Sequence, residues 1–130
     1  MKTAHRLGFI LFFLVFISQA AAQPSPLSPA ETMELGAFGK VTLYRPEGVP
    51  RQMVLFLSGD GGWNRGVIDM ARLLVARGAA VAGIDVPHYL HKIAQSHEKC
   101  SYPAGDLAEL AQAVERRIGI KEYVNPVLVG

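Results

Sequence analysis

The middle of the chain alternates strand-like and helix-like patterns of apolar residues. Residues 40–44 alternate apolar and polar side chains, which predicts a half-buried strand near a sheet edge. Residues 53–57 are apolar throughout, and residues 79–86, which carry Asp85 near their end, form a second buried strand that Pro87 terminates. Strands that are apolar on both faces belong in the middle of a covered, largely parallel sheet.

Two other stretches repeat apolar residues at the spacing of a helix. Asn64 is suited to cap the first helix, which Arg77 and Gly78 close, and Gly119 stops the second. A long loop is expected before the second helix, and residues 126–130 form a third buried strand. The order of these elements predicts an α/β fold with right-handed crossovers. The apolar positions are Val67, Met70, Ala71 and Leu74 in the first helix and Leu107, Leu110, Ala111, Val114 and Ile118 in the second.

The last of these strands runs to the final residue, Gly130. A sheet of three or four strands would leave much apolar surface uncovered. We therefore expect residues 33–130 to be the N-terminal half of a larger sheet, incomplete at its C-terminus.

The N-terminus has the pattern of a secretory signal peptide. Lys2 and Arg6 precede an apolar run over residues 7–17, and small residues then lead to an expected cleavage site after Ala22. The run is too short for a membrane-spanning helix, which needs about 20 residues. Residues 1–22 are therefore predicted to direct export to the periplasm, and residues 23–32 to form a Pro-rich linker.

Charge and cysteine content narrow the function only a little. Removing Lys2 and Arg6 with the signal leaves 11 of the 13 basic side chains against 11 acidic ones. There is no basic stripe with interleaved aromatic residues, so a nucleic-acid partner is not expected. The single cysteine, Cys100, is either a small buried apolar residue, a free thiol or a partner for a cysteine of another chain.

A glycine-rich turn, Gly59-Asp60-Gly61-Gly62, joins the strand at 53–57 to the first helix. Backbone N–H groups at such a junction favour an anion. A dinucleotide site would use this turn and Asp85, but Asn64 stands where its third glycine belongs. The alternative is an oxyanion hole of an α/β-hydrolase, in which this loop offers one backbone amide, that of Asp60 or Gly61, and the residue after the nucleophile offers the other. The nucleophile elbow would then start at Gly130, the glycine that ends the strand at 126–130.

Four segments carry a resemblance to a known family. Together they resemble the VirJ/AcvB family of bacterial virulence proteins, and the resemblance covers roughly residues 33–130. It implies a periplasmic α/β-hydrolase fold, a link to type IV secretion, and for some members hydrolysis of aminoacyl-phosphatidylglycerol. It also implies that the elbow continues Tyr-Ser-x-Gly after Gly130. The segments are Leu57–Trp63, Val81–Asp85, Tyr102–Leu107 and Pro126–Gly130.

These observations define the expected site. Asp60 and Gly61 form the oxyanion hole, Trp63, His88 and Tyr89 line the substrate pocket, and the nucleophile lies just after Gly130, so no catalytic side chain is expected within the chain. The Asp60 side chain either bonds its own turn or attracts an ammonium group of the substrate.

The histidines and the cysteine of residues 88–100 raise the possibility of a metal site. His88, His91, His97 and Cys100 suggest a zinc site, but no carboxylate or paired cysteine supports it, and neither a metal nor a cofactor is expected. The full-length protein is predicted to cleave an ester such as an aminoacyl-phospholipid. The alternative is a non-catalytic envelope or secretion module, and the chain by itself is expected to be inactive.

Overall fold

The computed structural model describes residues 30–98 and 100–130. The predicted signal peptide and residues 23–29 of the predicted linker lie outside the described residues. Along the described chain the strands are β1 Glu31–Leu35, β2 Gly39–Tyr44, β3 Gln52–Leu57, β4 Ala79–Ile84 and β5 Val127–Val129, and the helices are α1 Arg65–Ala76, α2 Val86–Gln95 and α3 Pro103–Ile118.

The five strands of the described part form one mixed sheet in the order β1-β2-β4-β3-β5. Strand β3 pairs in parallel with β4 and β5, whereas β1 pairs with β2, and β2 with β4, in the antiparallel sense. The expected α/β class is confirmed, but the sheet is less parallel than predicted. A 3-10 turn over Gly36–Phe38 joins β1 to β2, and so short a connection joins only antiparallel neighbours.

Two elements were not predicted from the sequence. Strand β1 begins at Glu31 and takes the sheet edge, so residues 40–44 form the second strand. Helix α2 occupies the first half of the expected long loop. Pro87 lies in the first turn of α2, where a missing N–H costs nothing, and the Asp85 side chain caps that turn.

Helices cover both faces of the sheet. Helix α1 packs on one face through Ala71 and Val75, and α3 packs on the other through Leu110, Ala111 and Val114. Strands β3 and β4 are nearly fully buried between them, with all six residues of β4 buried. Strand β5, predicted as a buried strand, lies instead at the sheet edge with Val127 and Leu128 exposed. The packing between the helices fixes the carboxyl ends of β3 and β4 side by side, with Leu57 in register with Ile84. The candidate site lies at this end of the sheet.

Candidate active site

The glycine turn after β3 has a defined shape. The amide of Gly62 donates to the carbonyl of Gly59 at 3.0 Å, and Gly62 has a φ of 71°, in the left-handed region that favours glycine. Asn64 caps α1 as predicted: its side-chain oxygen accepts from the amide of Gly66 at 3.2 Å, and its Nδ2 donates to the carbonyl of Gly61 at 3.0 Å. The turn is therefore tied to the positive end of the α1 dipole.

The amides of the turn that precede Gly62 are unused. Within residues 30–98 and 100–130, the N–H groups of Gly59, Asp60 and Gly61 donate no hydrogen bond, and these residues are exposed. The Asp60 carboxylate is likewise without a hydrogen bond to another described residue. Adjacent free amides in a turn that leads into a helix can donate to a phosphate, a carboxylate or a developing oxyanion.

Asp85 connects this turn to the start of α2. Its Oδ2 accepts from the amide of Trp63 at 3.3 Å, and its Oδ1 accepts from the amide of His88 at 3.0 Å. From the sequence, the only binding role predicted for Asp85 is that of a ribose ligand in a dinucleotide site. In the structure both carboxylate oxygens are engaged by backbone amides of the protein itself.

Ser58 also joins β3 to the β4–α2 junction. Its amide donates to the carbonyl of Ile84 at 3.0 Å, and its Oγ accepts from the amide of Val86 at 3.0 Å. The side chain is buried. Ser58 therefore holds the strand ends together, and its oxygen is committed to the first turn of α2.

A cavity of about 510 Å³ lies against Trp63, the residue that follows the turn. Two of the three predicted pocket residues, Trp63 and His88, line it together with Asp85. The His88 ring packs on Gly39, where a Cβ would come within 2.4 Å of Nε2. The remaining wall comes from α1 and from the two antiparallel strands: Ala30, Thr32, Lys40, Thr42, Tyr44 and Ile68.

The contribution of β2 to this wall was missed by sequence reasoning. The period-two pattern puts Lys40, Thr42 and Tyr44 on one face of the strand, so the sequence does indicate which residues of β2 face the same side. What the sequence could not show is that β2 lies antiparallel beside β4, with Thr42 opposite Gly83.

Tyr89 lies away from this cavity, in the core on the opposite face of the sheet. Its ring stacks on Phe38 with 4.5 Å between the centroids, and its hydroxyl donates to Oδ2 of Asp106 at 2.6 Å. Burial, together with the neighbouring Asp106 carboxylate, raises the pKa of Tyr89 to about 12. In this structure Tyr89 ties α2 to α3 and does not line the cavity that Trp63 and His88 share.

Strand β5 brings Gly130 to the same end of the sheet. Val129 is in register with Phe56, and a Cβ at Gly130 would lie 3.4 Å from the Cβ of Leu57. Leu57 is the last residue of β3, directly before the glycine turn. The carboxyl end of β5 therefore lies beside the segment that carries the free amides.

The other residues considered as zinc ligands do not lie together. His91 on α2 contacts Gln95, with 3.0 Å between Nε2 of each residue, and Cys100 is exposed and free. Among residues 30–98 and 100–130 no three His, Cys, Asp or Glu side chains are grouped closely enough to hold a metal ion. None of the described helices is long and apolar enough to cross a membrane.

Residues 51–130 match a model of a known protein family. Neither the curated proteins nor the solved structures give a match. The family model for the bacterial virulence protein VirJ does match, over residues 51–130, which include β3, the glycine turn, Asp85 and β5. A match over more than half of the chain is enough to assign the family. The chain belongs to the VirJ family of bacterial virulence proteins.

Proposed function

We propose that this VirJ-family protein is a periplasmic serine hydrolase that cleaves a carboxylic ester. The observation that carries the proposal is the pair of free amides at Asp60 and Gly61, placed beside the carboxyl end of β5. In an α/β-hydrolase one oxyanion donor comes from the loop after β3, and the nucleophile follows a strand that ends in glycine. The turn after Leu57 and the strand that leads to Gly130 fit these two roles.

The chemistry assigned to this chain is stabilisation of negative charge. A serine hydroxyl, placed in our proposal just after Gly130, forms a bond to the ester carbonyl carbon. The C=O electron pair moves onto the oxygen, and the Asp60 and Gly61 amides donate to it. When the tetrahedral intermediate collapses, the C–O bond to the leaving alcohol breaks. A histidine outside this chain returns the proton from the serine to that alcohol.

The proposed substrate rests on the lining of the cavity and on the family resemblance. Trp63, Tyr44 and Ile68 give the cavity an apolar wall, while Lys40, Thr32 and Thr42 add polar groups. Such a mixed lining suits a ligand with an apolar part and a polar head. We propose an aminoacyl-phospholipid such as aminoacyl-phosphatidylglycerol as the substrate, and type IV secretion as the process the protein serves.

The oxyanion role is tested by two substitutions at one position of the full-length protein. A Cβ at residue 61 would lie 2.9 Å from Nδ2 of Asn64, so Gly61→Ala and Gly61→Pro both press on that side chain. Only proline removes the N–H. We expect kcat for a soluble ester to be about 100-fold lower in Gly61→Pro than in Gly61→Ala, because one oxyanion donor is lost. Equal kcat values in two equally folded variants would contradict the assignment.

The nucleophile is tested independently by covalent labelling. A fluorophosphonate probe reacts with an activated serine, and peptide mass spectrometry of the full-length protein locates the adduct. We expect the label on a serine shortly after Gly130. If the folded protein carries no label and cleaves no ester, the non-catalytic envelope or secretion module is the better description.

Export is tested on the expressed protein. N-terminal sequencing of the form recovered from the periplasm should begin at Gln23, as cleavage after Ala22 requires. Recovery of the uncleaved chain from the cytoplasm alone would contradict both the signal peptide and the proposed location.

A further inference from the structure

We propose that Asp85 is the positioning residue of the glycine turn, holding the amides of Asp60 and Gly61 where an oxyanion can reach them. This inference rests on the proposed function for its catalytic consequence. The structural part, that one carboxylate sets the turn, stands on contacts within the described residues.

Asp85 accepts two hydrogen bonds from backbone amides of different segments. The amide of Trp63 belongs to the segment that enters α1, and the amide of His88 belongs to the first turn of α2. Bonds from backbone amides to an ionised carboxylate are stronger than those to a neutral acceptor. Asp85 is also the N-cap of α2, so the positive end of that helix dipole faces the carboxylate and partly offsets its charge. Asp85 therefore ties the turn to the buried end of β4.

The Asp85 carboxylate also packs against the backbone of Gly62, where a side chain would not fit. A Cβ at that position would lie 2.9 Å from Oδ2 of Asp85 and 3.4 Å from its Cγ. Gly62 also has a φ of 71° and donates its amide to the Gly59 carbonyl. The left-handed residue thus closes the turn and makes room for the carboxylate.

These contacts divide the amides of the segment into two groups. Those of Gly62 and Trp63 are used inside the protein, by Gly59 and Asp85 respectively. Those of Asp60 and Gly61 are left for a ligand. If Asp85 is removed, the Trp63 amide loses its acceptor and the turn gains freedom to move away from β4, which misplaces the free donors. A displacement of about 1 Å is enough to slow a reaction roughly 100-fold.

The test compares Asp85→Ala and Asp85→Asn in the full-length protein, with Asp106→Asn as the matched control. Asparagine keeps one acceptor but turns an NH₂ group toward the other amide, so its effect should lie between those of wild type and alanine. Asp106 accepts from Tyr89 at the other face of the sheet and makes no contact with the turn. Its substitution reports the loss of a carboxylate of similar burial without disturbing the turn.

We expect Asp85→Ala to lower kcat for a soluble ester at least tenfold, with KM changed less than about twofold, because donors that act only in the transition state affect kcat. Amide hydrogen exchange at Trp63, followed by NMR, should be about tenfold faster in Asp85→Ala than in wild type. Asp106→Asn should leave both quantities close to the wild-type values. If Asp85 had a merely structural role, Asp85→Ala would lower the stability of the protein without lowering kcat more than it raises KM.

Each outcome decides a different claim. Unchanged Trp63 exchange in Asp85→Ala would overturn the positioning of the turn by Asp85. Faster exchange with unchanged kcat would overturn the link between the turn and catalysis. A wild-type protein that cleaves no ester, combined with faster exchange in the variant, would refute the proposed function and leave the structural part supported. If Asp85→Ala does not fold, the isosteric Asp85→Asn carries the same comparison.

Discussion

The indole ring of Trp63 lies directly on the backbone of Gly83, the fifth residue of β4. A Cβ at residue 83 would come within 2.0 Å of Cζ2 and 2.3 Å of Cε2 of the indole. The ring also meets Phe56 edge-on, with 5.5 Å between the centroids, and lies 6.3 Å from Tyr44. The absence of a side chain at Gly83 therefore gives Trp63 its place between the sheet and the cavity that it lines.

Gly83→Ala should displace Trp63 and destabilise the protein by about 1–3 kcal/mol, as expected for a methyl group forced into a packed core. The free energy of unfolding in urea measures this cost. Trp63 is the only tryptophan of the chain, so a change in native-state fluorescence of the chain reports the movement of its ring.

Gly66→Ala is the control for that measurement, because a Cβ at residue 66 would make only ordinary contact at 3.7 Å with the Asn64 side chain. The residue lies in the first turn of α1, where alanine is a better helix former than glycine. Its stability should equal or slightly exceed that of wild type. A loss in Gly66→Ala as large as that in Gly83→Ala would show that contact with Trp63 is not the cause.

Tyr89→Phe should change how stability depends on pH. Burial and the Asp106 carboxylate raise the pKa of Tyr89 to about 12 from an ordinary value of 10.0. The folded state therefore holds this proton more tightly than the unfolded state, and the resulting stabilisation is complete below pH 10 and is lost as the pH rises from 10 to 12. Phenylalanine cannot ionise, so the stability advantage of wild type over the variant should shrink across this range.

Urea unfolding of both proteins at several pH values between 8 and 12 measures that difference. Tyr123→Phe serves as the control for loss of a hydroxyl at the surface, because the Tyr123 side chain is 54% exposed. A gap between wild type and Tyr89→Phe that stays constant up to pH 12 would show that ionisation of Tyr89 is not coupled to folding.

The fold was predictable wherever apolar periodicity was strong. Strands β3 and β4 and helix α1 lie where uninterrupted apolar runs and the Asn64 cap predict them. Strand β1 was missed because its alternation, with Met33 and Leu35 turned to the core, follows directly on a Pro-rich segment. Helix α2 does not follow from the sequence pattern, because a proline such as Pro87 can end a strand as well as occupy the first turn of a helix.

The site was predictable as far as local sequence defines it. The glycine turn and its cap follow from residues that are neighbours in the chain, and the structure gives that turn free amides. The partners that long-range packing supplies were not predictable. Asp85 reaches Trp63 across 22 positions of sequence, and Tyr89 turns to Asp106 in the core instead of to the cavity.

Glu31→Gln should make the stability of the protein less sensitive to low pH. The carboxylate of Glu31 on β1 forms ion pairs with Arg45 and Arg117. The hydrogen bond from Arg117, assisted by the charges of both arginines, holds the pKa of Glu31 below its ordinary value. This stabilisation is present above the ordinary pKa of about 4.5 and is lost as the pH falls through the lower pKa of the folded state.

The measurement is the urea midpoint at pH 7 and at pH 3, where the drop should be smaller for Glu31→Gln than for wild type. Glu34→Gln is the matched control on the same strand, since among the described residues Glu34 forms no salt bridge. An equal drop in wild type and Glu31→Gln would show that the ion pairs add nothing to stability at neutral pH.

The side chain of Glu115 fixes the segment that leads into β5, so removing this side chain should destabilise that segment first. This glutamate of α3 is 4% exposed, and its Oε1 accepts from the amide of Val124 at 3.0 Å. Glu115→Ala leaves that amide without its acceptor and should cost about 1–3 kcal/mol of unfolding free energy. Glu115→Gln keeps a carbonyl acceptor and should cost less, whereas Glu109→Ala, at an exposed position of the same helix, should cost little.

Denaturant unfolding ranks the three variants, and faster amide exchange at Val124 in Glu115→Ala locates the effect. If glutamine is as costly as alanine, a buried charge on Glu115 and not its hydrogen bond to Val124 holds the approach to β5.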